Sequence, residues 1–112
     1  MDNIKHDEYY IRKVISDLET IIANTKGASQ KDLEMNTILC DSVLFRVIQI
    51  SENSARLTDS FKIQHPDIPW KAIRGMRNKI VHEYGEVDHE VVYETVTCDV
   101  PNLLEKLLKI VE

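Results

Sequence analysis

Apolar residues recur at three- and four-residue spacing through Ile4, Ile11, Val14, Ile15, Leu18, Ile21 and Ile22. That period lays one buried stripe along a helix and predicts an amphipathic helix over residues 3–24. The stretch TKGASQ closes it. Gly27 suits the left-handed conformation that ends helices, and Ser29, with Asp32 three residues on, has the spacing of a capped restart. A second helix is predicted over residues 30–60. Its middle is more apolar than a single core-facing stripe requires, because eight of the twelve positions from Leu39 to Ile50 are apolar. A helix of that kind is expected to be covered on two sides, by its own bundle and by a partner subunit.

The segment QHPDIPW interrupts the helical period. Its two prolines push His65 and Ile68 into extended backbone. Asp67 or Ile68 then leads into a third helix with Pro69 in its first turn. This helix carries Trp70, Ile73, Met76, Ile80 and Val81 and is expected to end near Gly85. Residues 88–97 are rich in Val and Thr, which also favour strands. No second strand candidate exists to pair with them, so a helix is expected there too. Pro101 marks a kink or restart before a last amphipathic segment, Leu103 to Val111. No internal repeat or low-complexity tract appears. The pattern predicts an all-α fold, an antiparallel bundle of four to five helices forming a single domain over residues 1–112.

Composition agrees with that picture. With 112 residues, 43% hydrophobic and 29% charged, the chain suits one core and carries no disorder signature. No apolar run approaches the roughly 18 residues a membrane span needs. The N-terminus lacks a basic region followed by an apolar stretch. Cys40 and Cys98 stand alone, without CxxC spacing. A cytoplasmic protein with reduced thiols and no membrane partner is expected. The formal net charge of −5 argues against a generally basic nucleic-acid binder. The average hides an asymmetry, however. Residues 62–82 carry Lys62, Lys71, Arg74, Arg77 and Lys79 against Asp67 alone, a local +4, and the rest of the chain is −9.

Within that basic stretch lies RNKIVHEY, residues 77–84. On a continuous helix at about 100° per residue, Arg77 falls inside the apolar arc and Tyr84 lies about 20° from it. Asn78 and His82 become i, i+4 neighbours on the arc's other edge. An arginine on an apolar stripe needs an acidic partner or a polar cleft, and Glu52, which follows the apolar middle of the second helix, is the candidate partner. Arg, His and Asn together suit phosphodiester chemistry. His exchanges protons near neutral pH, Arg forks two donors onto a phosphate, and Asn orients either one. R-x4-H spacing alone is a weak signal. Taken by itself it favours an ordinary salt bridge at Arg77 and a dipole-stabilised His82 at a helix C-terminus.

Other candidates are weaker. Glu86-x-x-His89 has the spacing of half a bundle metal site, but no second such motif exists, so no metal or other cofactor is expected. No Gly-rich phosphate loop occurs. Trp70 is expected to be an aromatic core anchor rather than a base-stacking platform. Lys71, Arg74 and Lys79 are either a solvated face or an approach for RNA.

The stretch HPDIPWKAIRGMRNKIVHEYGEVD resembles the hallmark of the HepT-like proteins, a branch of the HEPN superfamily. QISENSARLTDSF upstream and VVYETVTCDVPNLLEKL downstream resemble the neighbouring family segments, so the likeness runs over residues 38–108. It implies a HEPN-like helical bundle that dimerises and acts as a metal-independent endoribonuclease, the toxin half of a toxin–antitoxin pair. The family's R-x4-H-x-Y motif falls on Arg77, His82 and Tyr84, with Asn78 at its polar position. Two such motifs meet across a dimer cleft in the family. The implied partner is a nucleotidyltransferase antitoxin, which transfers AMP onto the motif tyrosine, here Tyr84, and can join a larger complex with the homodimer. Two departures bear on packing. The family commonly has Gly-Glu-Ala where this chain has Ser51-Glu52-Asn53, and often an aromatic where it has Gly85.

RNA rather than DNA is the expected substrate, with attack by the 2′-hydroxyl, proton transfer by His82, charge stabilisation by Arg77 and orientation by Asn78. The alternative is a non-catalytic helical module that docks or regulates the nucleotidyltransferase, which the low basic content favours.

Overall fold

The computed structural model describes residues 2–82 and 85–111. Tyr84, the expected modification site, lies outside the described residues. The fold is all-α. Helix α1 spans Asp2–Thr25, α2 Gln30–Met35, α3 Thr37–Ala55, α4 Asp59–Gln64, α5 Trp70–Arg74, α6 Met76–Ile80, α7 His89–Glu94 and α8 Val100–Val111; a π-helical turn, Thr95–Asp99, joins the last two. Four rods make the bundle: α1, α3, the pair α5–α6, and the run α7–π–α8. The short α2 and α4 are connectors that pack on its sides.

The predicted stripe of α1 is buried through Ile11, Val14, Ile15, Leu18 and Ile21. Gly27 has φ +77, and Ser29 and Asp32 form the reciprocal capping box that starts α2. The predicted second helix is broken where the sequence reading kept it whole. Asn36 ends α2 and caps α3, its side-chain oxygen accepting from the Leu39 N–H at 3.1 Å. An asparagine offers the backbone this alternative, and its helix-forming tendency is weak. The same helix stops at Ala55, and Thr58 caps a new start at α4.

Two polar ties set the direction of α3 against α1. Arg46 meets the buried carboxylate of Asp17 at 2.8 Å. Asp7, only 6% exposed, accepts from the Thr58 N–H at 2.8 Å and from the Thr58 hydroxyl at 2.7 Å. As α1 advances from 7 to 17, its partner recedes from 58 to 46, so the two segments are antiparallel. Asp7 satisfies both oxygens this way while holding the N-cap of α4. Hydrogen bonds to a charged group are worth about 1.5–3 kcal/mol. Asp7→Ala is therefore expected to lower the unfolding free energy by about 2 kcal/mol, read from the midpoint of a urea melt.

Helix α3 buries Cys40, Val43, Val47 and Ile50 along one stripe. Ile38 (83% exposed) and Phe45 (55% exposed) project to the other side. The chain itself thus covers one flank of this apolar helix and leaves the second open. Within residues 88–97, expected to be helical, Asp88 is the extended cap and the helix begins at His89. Pro101 cannot donate a backbone hydrogen bond, and the π turn before it absorbs the mismatch, with the Val100 N–H reaching Thr95 O, five residues back.

Candidate active site at the end of the sixth helix

The RNKIVHEY stretch is not one helix. Gly75 (φ −91°, ψ 0°) separates α5 from α6, and Ser51 on α3 pins the end of α5 by donating from Oγ to Ile73 O at 2.9 Å. Helix α6 is then a single short turn. Met76 and Ile80 face the core, while Arg77, Asn78 and Lys79 are exposed. The helix stops at Ile80 because Val81 turns extended and forms an antiparallel bridge with Val87. The Asp88 N–H donates to Ile80 O at 2.8 Å and the His82 N–H to Glu86 O at 2.7 Å. Gly85, at φ +75, donates to His82 O at 3.2 Å. Two β-branched residues flanking a left-handed glycine thus make a miniature hairpin, a conformation their side chains favour over helix.

This overturns the helical-wheel expectation for residues 70–84. Arg77 is exposed rather than inside the apolar arc, and His82 has left the helix, so Asn78 and His82 are not i, i+4 neighbours. The wheel failed because it carried one period across Gly75 and past Val81. Arg77 and Asn78 do meet: the Arg77 guanidinium donates to Asn78 Oδ1 at 3.4 Å. Among the described residues no carboxylate pairs with Arg77. Glu52 is exposed on α3 and shares no ion pair with it within the chain. Glu52 instead follows Ile38 and Phe45 at seven-residue steps, on the open flank of that helix.

His82 is a half-open side chain at the mouth of the hairpin, 53% exposed. Its Nε2 lies 3.5 Å from Asp88 Oδ2. The other carboxylate oxygen, Oδ1, caps α7 by accepting from the Val91 N–H at 3.2 Å. That N–H holds the Asp88 carboxyl below the ordinary carboxylate range. Burial opposes this, and His82 adds a smaller lowering. An acid depressed in the folded state stabilises it above its unfolded pKa. The contribution is lost as pH falls through the lowered value, so acid weakens this cap. Sequence reading had not singled out Asp88 by role. An aspartate directly before HEVV, a short helical start, was the available signal.

The other cations divide between two sides. Lys71, Arg74 and Lys79 are all exposed and form no ion pair among the described residues. Lys79 is about 200° around α6 from Arg77 and lines a cavity of about 160 Å³ beside Ile73, Met76, Asp99, Leu103 and Lys106. Trp70 is the expected core anchor: its indole N–H donates to Lys62 O and His65 O at 3.2 and 3.0 Å, and its ring meets Phe61 edge-on. It is half-buried against the core.

The arrangement sets a guanidinium at Arg77, an amide at Asn78 and an imidazole at His82 within six residues, all open to solvent. The family model described as Ribonuclease HepT-like matches residues 3–110, reaching past both ends of the likeness legible in the sequence. The chain is 34% identical to the probable ribonuclease HepT of Thermococcus cleftensis, over 90% of this chain and 92% of that protein. It is 29% identical to a candidate RNase of Caldanaerobacter subterraneus subsp. tengcongensis, over 92% of each. A Methanocaldococcus jannaschii protein named as a gamma-glutamylcyclotransferase and candidate RNase is 32% identical over 96% of this chain, which spans 49% of it. No solved structure matches the chain.

Proposed function

The chain belongs to the HepT-like ribonuclease family, and on that premise we propose that it is an endoribonuclease toxin cleaving RNA without metal, through Arg77, Asn78 and His82. The observation that carries this reading is the exposed Arg77, joined to Asn78 and paired with no carboxylate among the described residues, three residues before the helix ends and five before His82. A cation left in that state costs little in water and is available to a polyanion. In the reaction the RNA 2′-oxygen attacks the adjacent phosphorus and the 5′-oxygen leaves, giving a 2′,3′-cyclic phosphate and a 5′-hydroxyl. His82 moves protons between these oxygens. Arg77, held by Asn78, neutralises the crowded phosphate, and removing such a donor costs about 10²–10³-fold. Lys71 and Arg74 extend the positive field along α5, and Lys79 extends it toward α8.

A homodimer completes the site in this reading. The open flank of α3, with Ile38 and Phe45 exposed, supports a second copy there, and Glu52 at the end of that flank is then placed to reach the partner's side of the cleft. Since each chain supplies one motif histidine, a separate acid and base come from the two subunits or from a histidine and a water. Tyr84 is the point at which a nucleotidyltransferase antitoxin adds AMP. A bulky anion two residues from His82 would occupy the phosphate site and neutralise Arg77.

One assay tests this. Purified protein is given total RNA with EDTA, before and after exposure to a nucleotidyltransferase and ATP. Wild type is expected to cleave, Arg77→Ala to cleave about 10²–10³-fold more slowly, and protein that has gained AMP on Tyr84 to be inactive. AMP addition to a protein that never cleaved RNA would replace the enzyme by a regulatory docking module.

A further inference from the structure

We propose that Asp88 is the positioning residue of the site: its carboxylate holds the His82 ring at Nε2, leaving Nδ1 as the nitrogen that exchanges a proton with RNA. The proposal rests on the ribonuclease reading of His82 and adds to it a residue and an atom.

Three hydrogen bonds, two of backbone and one to a side chain, fix the two residues relative to each other. The Val81–Val87 bridge sets the register of the hairpin. The Asp88 N–H on Ile80 O and the His82 N–H on Glu86 O lock its two sides. Asp88 Oδ1 is committed to the Val91 N–H at 3.2 Å, so the carboxylate cannot turn away, and Oδ2 is left facing Nε2 at 3.5 Å. That is an ion-pair distance, longer than a well-formed hydrogen bond. Contacts of this kind commonly tighten only when substrate is bound.

Chemistry then chooses the nitrogen. An ionised carboxylate accepts and cannot donate, so a neutral imidazole beside it carries its proton on Nε2 and its lone pair on Nδ1. Capping of α7 and orientation of His82 are thus done by the two oxygens of one side chain, which is why the histidine can sit on an exposed hairpin and still keep a defined ring.

The two roles separate by substitution. Serine and asparagine are both good N-caps, so Asp88→Ser and Asp88→Asn are expected to keep α7 and to melt close to wild type. Serine is too short to reach His82. Its kcat on an RNA oligonucleotide is expected to fall at least about 10-fold, because the carboxylate partner keeps a proton-transferring histidine in one tautomer and orientation, with KM within about twofold. Asparagine makes a sharper prediction. With its Oδ1 retained by Val91, it presents its NH2 to Nε2, forcing that nitrogen to accept and moving the proton to Nδ1. Nitrogen-15 NMR of the neutral His82 ring should show the Nε2–H tautomer in wild type and the Nδ1–H tautomer in Asp88→Asn. A residue serving only as a helix cap would move neither kcat nor the tautomer. Wild-type kcat in both variants, with His82→Ala inactive beside them, overturns the positioning role while leaving the ribonuclease reading intact. An unchanged tautomer in Asp88→Asn overturns it as well. If His82→Ala itself cleaves like wild type, the ribonuclease reading falls instead, and the catalytic half of this proposal falls with it.

Discussion

His82→Ala is expected to reduce RNA cleavage by about 10²–10⁴-fold, the range that one general acid–base group contributes. The fold should not notice. His82 is 53% exposed, sits beyond the last turn of α6 and touches only Asp88 among ionisable side chains of the described residues. Surface substitutions of that kind stay within about 0.5 kcal/mol. Loss of activity with an unchanged circular dichroism melt therefore assigns the effect to chemistry. The substitution also leaves both ties of the hairpin, the Val81–Val87 bridge and the Asp88 cap on Val91, which involve no His82 side-chain atom. A cleavage rate within about threefold of wild type, far below what acid–base catalysis supplies, would remove His82 from the mechanism.

The largest effect on stability is expected at Leu18, which is fully buried at the middle of the α1 stripe. Leu18→Ala removes apolar contact and leaves a cavity whose walls belong to helices tied on both sides, by Asp17 to Arg46 and by Asp7 to Thr58. Those ties limit collapse, and Leu→Ala in such sites costs about 2–5 kcal/mol. Against a total stability of about 5–15 kcal/mol, this is a large fraction. A fall in Tm of about 10–20 °C follows for a domain of this size. A shift of only a few degrees would mean that α1 is held less firmly than its burial implies.

The sequence made the rods legible and hid the joints. The period of α1, the cap at Gly27 and the Ser29–Asp32 box follow from local rules that tertiary context did not need to override. The breaks at Asn36 and Gly75 were missed, because apolar periodicity carries across a cap as smoothly as through a helix. At the candidate site the residue types were legible and their arrangement was not. Arg77, Asn78 and His82 were read as the faces of one helix; the structure puts the first two on a single turn and the third on a hairpin. Val81, Gly85 and Val87 held that information, as two β-branched residues about a glycine, but it competes with a helical pattern that places Trp70, Ile73, Met76 and Ile80 in register. Asp88 was visible only as a neighbour of the motif. Its contact with His82 depends on a hairpin that the helical reading excluded. The apolar middle of α3 pointed to a second covered flank; of its eight apolar positions Phe45 alone is exposed, while Leu39, Leu44 and Ile48 are half-buried.

The central claim is that Arg77, Asn78 and His82 cleave RNA by 2′-hydroxyl attack without metal. End-group analysis of an RNA oligonucleotide cut by the wild-type protein in EDTA, with His82→Ala prepared in parallel, tests it most directly. A 2′,3′-cyclic phosphate and a 5′-hydroxyl, formed by wild type and not by the variant, are the predicted ends. Products bearing 5′-phosphates, cleavage that stops with EDTA, or equal cleavage by the variant would contradict it.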